Sequence, residues 1–168
     1  MSLARLRTLF FPASLASLIV LVGSIKLESM VGLTPCALCY SQRALLGVYL
    51  LLGICAVIYS PSLRSDRNYA RTLLLSAGLG AWLAGRQVWL QSESWSALSC
   101  PSPVPTLSEL PLGQALYRLL LGAPECAPIN WSFLDLTLPE WSLLAFLVLA
   151  CLPLSFLLAQ RLRMLMRD

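Results

Sequence analysis

Sulfur carries the chemistry that this sequence offers. Cys36-Ala37-Leu38-Cys39 sets two thiols three residues apart, and Cys100 and Cys126 make a second couple further along. Thr34 can cap a helix and Pro35 suits its first position, which puts Cys36 in the first turn. There the exposed backbone N–H groups and the helix dipole favour a thiolate, the form that attacks a disulfide and leaves from one. Arg43 follows seven residues after Cys36 and four after Cys39, so the three share one helix face about 10 Å deep. A guanidinium there stabilises a thiolate or hydrogen-bonds a ligand carbonyl; the competing reading is a side chain that snorkels to the membrane interface. The chain has six cysteines and no histidine, which removes the commonest general base and the usual zinc partner of cysteine. Zinc would need four cysteine ligands, and thiolates facing an oxidising compartment tend to be oxidised instead. Inert core packing is the other bland reading of the C-x-x-C. Cys100 and Cys126 read either as a structural staple worth about 3 kcal/mol or as the mobile half of a disulfide-exchange relay.

The elements that must position these thiols are apolar. Of 168 residues, 58% are hydrophobic and 12% charged, with a mean hydropathy of +0.75, which excludes an ordinary water-soluble domain. The excess of 12 Lys and Arg over 8 Asp and Glu is scattered beside apolar runs, so it reports topology rather than a nucleic-acid surface. Runs of about 20 apolar residues, the length that crosses a bilayer core, lie at 9–27, 37–59, 69–91 and 141–160. The expected fold is an all-α, four-helix transmembrane bundle formed as one membrane domain over 1–168. Arg5 and Arg7 resemble the start of a signal peptide, but the apolar run after them exceeds a signal-peptide core and has no clear cleavage site. Four spans put both termini and the 60–68 loop on one side, with Arg5, Arg7, Arg64, Arg67, Arg71, Arg161, Arg163 and Arg167. That side is the cytoplasm by the positive-inside rule. Arg86, near the outer end of its span, fits snorkelling.

The outer face then holds a short loop at 28–36 and a long one at 92–140. Pro101, Pro103, Pro105 and Pro111 forbid a regular helix through the first third of the long loop. Leu112, Ala115, Leu116, Leu119 and Leu120 recur at helical spacing beyond it and predict a short amphipathic helix on the membrane surface. Cys55 lies about 24 Å from Cys39 along the second span, and Cys151 is mid-span in the fourth, so both read as small buried hydrophobes. Trp89, Trp95, Trp131 and Trp141 sit where interfacial anchors are expected, with a place in a ligand pocket open to one or two of them.

The order of motifs closely resembles the DsbB family of bacterial inner-membrane thiol oxidases. The resemblance rests on Thr34-Pro-Cys-Ala-Leu-Cys-Tyr-Ser-Gln-Arg43, Gly85-Arg-Gln-Val-Trp-Leu-Gln91, Cys100-Pro-Ser-Pro, Glu125-Cys-Ala and the run Trp131 to Trp141, in order along the whole chain. It implies a four-helix bundle in the inner membrane with periplasmic redox loops. It also implies that the chain reoxidises a periplasmic thioredoxin-fold oxidase, DsbA or its like, and passes two electrons to ubiquinone, or to menaquinone without oxygen. On this likeness Cys100 forms the mixed disulfide with the partner, Cys126 exchanges with Cys36, Cys39 faces the quinone as a thiolate or transient adduct, and Arg43 supports the quinone head group. Gln87 stands where many of the family carry a histidine; glutamine can hydrogen-bond a carbonyl but does not titrate near neutral pH. The alternatives are a membrane scaffold with a stapled loop and a relay of the vitamin K epoxide reductase type, with a dedicated partner. The latter resembles this chain less, because its C-x-x-C follows the loop cysteines instead of preceding them.

Overall fold

A computed structural model of the chain describes residues 3–31, 37–59, 63–93, 111–114 and 132–166. These hold four long helices, α1 (Leu3–Val31), α2 (Ala37–Tyr59), α3 (Leu63–Glu93) and α4 (Leu138–Leu165), and a small antiparallel hairpin of β1 (Ser132–Phe133) and β2 (Leu136–Thr137). Among the described residues, three segments are long and apolar enough to cross a membrane: Phe10–Leu27 in α1, Leu38–Tyr59 in α2 and Leu138–Leu165 in α4. The span expected at 69–91 lies inside α3, but α3 falls short of that hydropathy because Arg71, Arg86, Gln87 and Gln91 dilute its leucines. No Gly or Pro falls between Leu27 and Val31, so the helix runs to Val31 and takes in residues 28–31 of the expected outer loop. On the other side α3 already starts at Leu63, within the expected 60–68 loop. Pro12 and Pro153 lie inside α1 and α4, as membrane helices tolerate where neighbours satisfy the freed backbone groups.

α1 packs on α2, α2 on α3, and α3 on α4, while α1 and α4 touch more lightly. The reason α3 takes two neighbours is written in its seam. Asp66, Ala70, Leu73, Ala77, Gly80, Ala84, Gln87 and Gln91 are all buried and step by alternate fours and threes, the spacing that keeps one stripe facing a partner helix. Small residues in mid-seam bring the backbones close, which is how membrane helices gain packing without a hydrophobic driving force. A Cβ at Gly80 would overlap the ring of Phe146 on α4, itself 1% exposed. Gly80→Ala is therefore expected to cost about 1–3 kcal/mol through overpacking. Gly78→Ala, whose new methyl would meet nothing, should leave stability level or slightly raised. Thermal unfolding of the two variants in detergent checks the contrast.

Tyr49 on α2 donates its hydroxyl to the carbonyl of Leu149 on α4 at 2.9 Å, satisfying a buried polar tip in the middle of the core. The inward serines of α1 are satisfied locally, Ser14 Oγ on the Phe10 carbonyl and Ser17 Oγ on the Ser14 carbonyl, both at 2.9 Å. Outward faces carry Phe11, Ile19, Leu51, Ile58, Leu75 and Leu158, all exposed, as befits helices bathed in lipid.

At the start of α3, Asp66 is 1% exposed, and burial pushes its carboxyl above the usual range. A carboxyl raised in the folded state contributes stability that is complete below its ordinary pKa and is lost as pH rises through the folded value. Wild-type stability should therefore decline as pH climbs out of the carboxylate range, and Asp66→Asn should flatten that dependence in pH-resolved thermal unfolding. Next to it, Arg67 donates Nε to Gln160 Oε1 at 3.3 Å and Nη2 to Met164 Sδ at 3.7 Å, tying this end of α3 to the last turns of α4.

Candidate functional site

The opposite end of the α3 seam is where the two glutamines replace small residues, and there α3 meets the start of α2. α2 begins at Ala37, which puts Cys39 in its first turn and Arg43 one turn deeper on the same face. Leu38, fully buried, packs with Leu83, Leu45 and Leu90 into a small apolar cluster that Leu45 joins to the main core. That cluster anchors the first turn of α2 against α3 and fixes the position of the adjacent sulfur.

Gln87 Nε2 donates to Cys39 Sγ at 3.6 Å. Gln42 Nε2 in turn donates to Gln87 Oε1 at 2.8 Å, between side chains only 5% and 4% exposed. Sulfur is a weak acceptor as a thiol, but a charge on it makes the same contact a charge-assisted bond of roughly twice the strength. Arg43, half-buried, donates Nη2 to the backbone carbonyl of Ser24 on α1 at 3.2 Å. The guanidinium thus reaches across to the neighbouring helix rather than only up toward the interface. Further out, the Thr137 backbone N–H donates to Glu140 Oε2 at 2.6 Å, and its hydroxyl shares its one proton between Glu140 Oε2 at 2.9 Å and Gln91 Oε1 at 3.3 Å. The N-terminus of α4 is so capped by its own first-turn carboxylate and joined to α3. The hairpin before it turns through Leu134 and Asp135, both with positive φ, at 54° and 61°, the backbone of a two-residue type I′ turn.

Of the residues read from the sequence as functional, Cys39, Arg43 and Gln87 are described, and Cys39 and Gln87 are in contact. Cys36, Cys100 and Cys126 lie outside the described residues, as do Trp95, Trp131 and most of the expected surface helix. Of that helix, 112–114 is helical, with Gln114 N–H on the Pro111 carbonyl at 2.9 Å. Trp89 is exposed and Trp141 half-buried. Cys55 is half-buried rather than buried, and Cys151 is exposed on the outer face of α4, which corrects the expectation of two core residues. A thiol is apolar enough to face lipid as readily as a core. Gln42 and Gln91 escaped the sequence reading. The available signal was an uncharged polar residue inside an apolar run next to Arg43, and the seam spacing that carries Gln87 on to Gln91.

The family profile described as "DsbB: Disulfide bond formation protein DsbB" matches residues 6–156. The chain belongs to the DsbB family. "Disulfide bond formation protein B 2" of Pseudomonas entomophila is 58% identical over 163 residues, covering 97% of each chain. The protein of the same name from Pseudomonas putida is 55% identical over 164 residues, covering 98% of each. "Disulfide bond formation protein B 1" of Pseudomonas aeruginosa is 38% identical over 150 residues, covering 87% of this chain and 91% of its own. The DsbB match takes in all four cysteines of the two couples, together with Arg43 and Gln87. Membership makes the chain a membrane oxidoreductase of disulfide bond formation, and its helices carry the apolar length that a DsbB-family protein needs.

Proposed function

We propose that this DsbB-family chain is a protein-dithiol:quinone oxidoreductase of the bacterial inner membrane. It reoxidises a periplasmic thioredoxin-fold oxidase of the DsbA type and delivers the electrons to the quinone pool. In this reading α3 joins the three apolar helices as the fourth span, both termini are cytoplasmic and the two loops carrying cysteines are periplasmic. The observation that carries the proposal is the buried amide of Gln87 donating to Cys39 Sγ at the mouth of an apolar helix pair. A sulfur that must bear negative charge beside lipid needs such a donor, because hydrocarbon supplies none.

The residues divide the work by phase. Cys100, on the proline-rich loop, accepts the attack of a partner thiolate and forms the mixed disulfide while Cys126 leaves as a thiolate. The second partner thiol then resolves the mixed disulfide, releasing oxidised partner and reduced Cys100. The Cys126 thiolate attacks the Cys36–Cys39 disulfide at Cys36, and Cys39 leaves carrying the electron pair. The exposed N–H groups of the first helical turn and the Gln87 amide are the groups that stabilise charge on the departing sulfur. A Cys100 thiolate closes the loop disulfide again by displacing Cys36. Overall one partner dithiol becomes a disulfide and one quinone becomes a quinol, with two electrons and two protons transferred.

The donor set fits a quinone. Its carbonyl oxygens are neutral acceptors, and Arg43 and Gln87 are donors flanking Cys39 on two helices, so these two side chains would hold the head group. When bound, ubiquinone or menaquinone supplies a two-electron, two-proton sink that is soluble in the bilayer. Both side chains serve as donors that orient the head group, and neither is assigned the role of proton source. Protons therefore come from outside this pair of residues.

Purified full-length protein given a reduced thioredoxin-fold partner and a quinone is expected to form one quinol per partner disulfide. Absence of partner-dependent quinone loss would overturn the proposal. Cys55→Ala and Cys151→Ala should each turn over at near wild-type rates in the same assay, since neither thiol is within reach of Cys39 along the helices.

A further inference from the structure

The Gln42–Gln87–Cys39 line contains a residue to which the proposed relay gives no role. Gln87 presents two ends that are nearly the same shape and opposite in hydrogen-bonding sense: an NH2 that donates and an oxygen that accepts. Only the first can support a charged sulfur; the second would repel it. Which end faces Cys39 is set by whatever grips the other end. Gln42 Nε2 donates to Gln87 Oε1 at 2.8 Å in a site where both side chains are about 95% buried. With the oxygen held there, the Nε2 group is turned to Cys39 Sγ at 3.6 Å. Gln42 lies three residues after Cys39 on α2 and so travels with the sulfur on one rigid helix. Gln87 comes from α3.

We infer that Gln42 is a positioning residue: its amide N–H pins the Gln87 oxygen, so that the Gln87 N–H points at the Cys39 sulfur whenever that sulfur carries charge. The inference rests on the proposed role of Cys39 as the sulfur that leaves with the electron pair. It goes beyond that role by placing the control of sulfur charge one residue back from the contact. An isosteric change discriminates well, because Gln42→Glu replaces a donor by an ionised acceptor of the same shape. A carboxylate at 42 draws the Gln87 NH2 toward itself and turns the Gln87 oxygen to the sulfur, reversing the dipole. Gln42→Met keeps the volume and leaves Gln87 ungripped.

The test uses full-length protein in detergent with Cys39 as the sole cysteine, the other five being replaced by Ser or Ala. The readout is the rate of iodoacetamide alkylation near neutral pH. That rate needs neither quinone nor partner, so it is decided separately from the proposed activity. The expected order is wild-type Gln42 fastest, Gln42→Met slower by several-fold, and Gln42→Glu slowest, about tenfold or more below wild type, consistent with loss of one charge-assisted bond. In a Gln87→Met background the Gln42→Met change should have no further effect, because its route to the sulfur is gone. In the cysteine-complete enzyme, Gln42→Met should lower kcat for quinone reduction and leave exchange of the loop disulfide with a partner unchanged. Equal alkylation rates for the three residues at 42 would overturn the inference. So would a Gln42→Met effect of the same size with and without Gln87, since a purely structural role predicts that result. Thermal unfolding of each variant identifies any that do not fold, and the Gln42→Glu and Gln42→Met pair then decides on the member that does.

Discussion

Replacing Cys126 with Ser is expected to convert the protein into a trap. Its sulfur is the leaving group when a partner thiolate attacks Cys100, and the group that carries electrons from the mobile loop to Cys36. Without it, Cys100 has no loop partner. Its thiolate then enters a mixed disulfide by attacking the disulfide of an oxidised thioredoxin-fold partner, and with no Cys126 to regenerate the loop disulfide that adduct stands in equilibrium with its components and passes no electrons inward. The proposed relay therefore predicts a partner adduct through Cys100 that accumulates in oxidising cells and disappears under reductant, with quinone-linked turnover falling to background. Non-reducing electrophoresis of membranes, followed by the Cys100→Ser/Cys126→Ser double variant, reads both parts. A structural staple predicts something different: loss of about 3 kcal/mol of loop stabilisation in the chain-entropy model, with no adduct dependent on Cys100.

Arg43→Met should produce the other large effect, at the membrane end of the relay. The guanidinium is half-buried, one turn below Cys39, and donates to the Ser24 carbonyl on α1. Removing a charged donor to a ligand carbonyl costs about 1.5–3 kcal/mol, or roughly 10- to 100-fold in kcat/KM for quinone. Exchange between the partner and the loop cysteines, which needs no quinone, should proceed at its normal rate. The Ser24 contact gives Arg43 a structural share as well, so thermal unfolding is measured alongside. A snorkelling or purely structural arginine would lower the melting temperature and leave the quinone KM where it was.

Much of this architecture is legible in composition because apolar length is a one-dimensional property. Helices α1, α2 and α4 can be read as runs of Leu, Ile, Val and Phe; the cap and first helical position expected for α2 at Thr34 and Pro35 lie outside the described residues. α3 is harder, since its apolar content is spread among alanines and glycines. Its identity as a packed helix lies in the period of Ala70, Leu73, Ala77, Gly80 and Ala84 rather than in hydropathy. Continuing the same period reaches Gln87 and Gln91, so their inward direction was available in the sequence. Their partners were not. Gln42 is 45 residues from Gln87 in sequence, and Thr137 is 46 from Gln91; nothing local specifies that either pair meets. The α1 helix continues four residues past the Leu27 end of its span, for Glu28 and Ser29 look like loop residues yet carry no helix-breaking chemistry.

A disulfide relay in this chain requires Cys36 and Cys100 to face the same compartment. Labelling intact spheroplasts with a membrane-impermeant maleimide after mild reduction, using single-cysteine variants at 36 and 100, tests this directly. Both positions should be modified from the periplasmic side and neither from the cytoplasmic side of inverted vesicles. Modification of the two from opposite sides would contradict a disulfide relay in this chain.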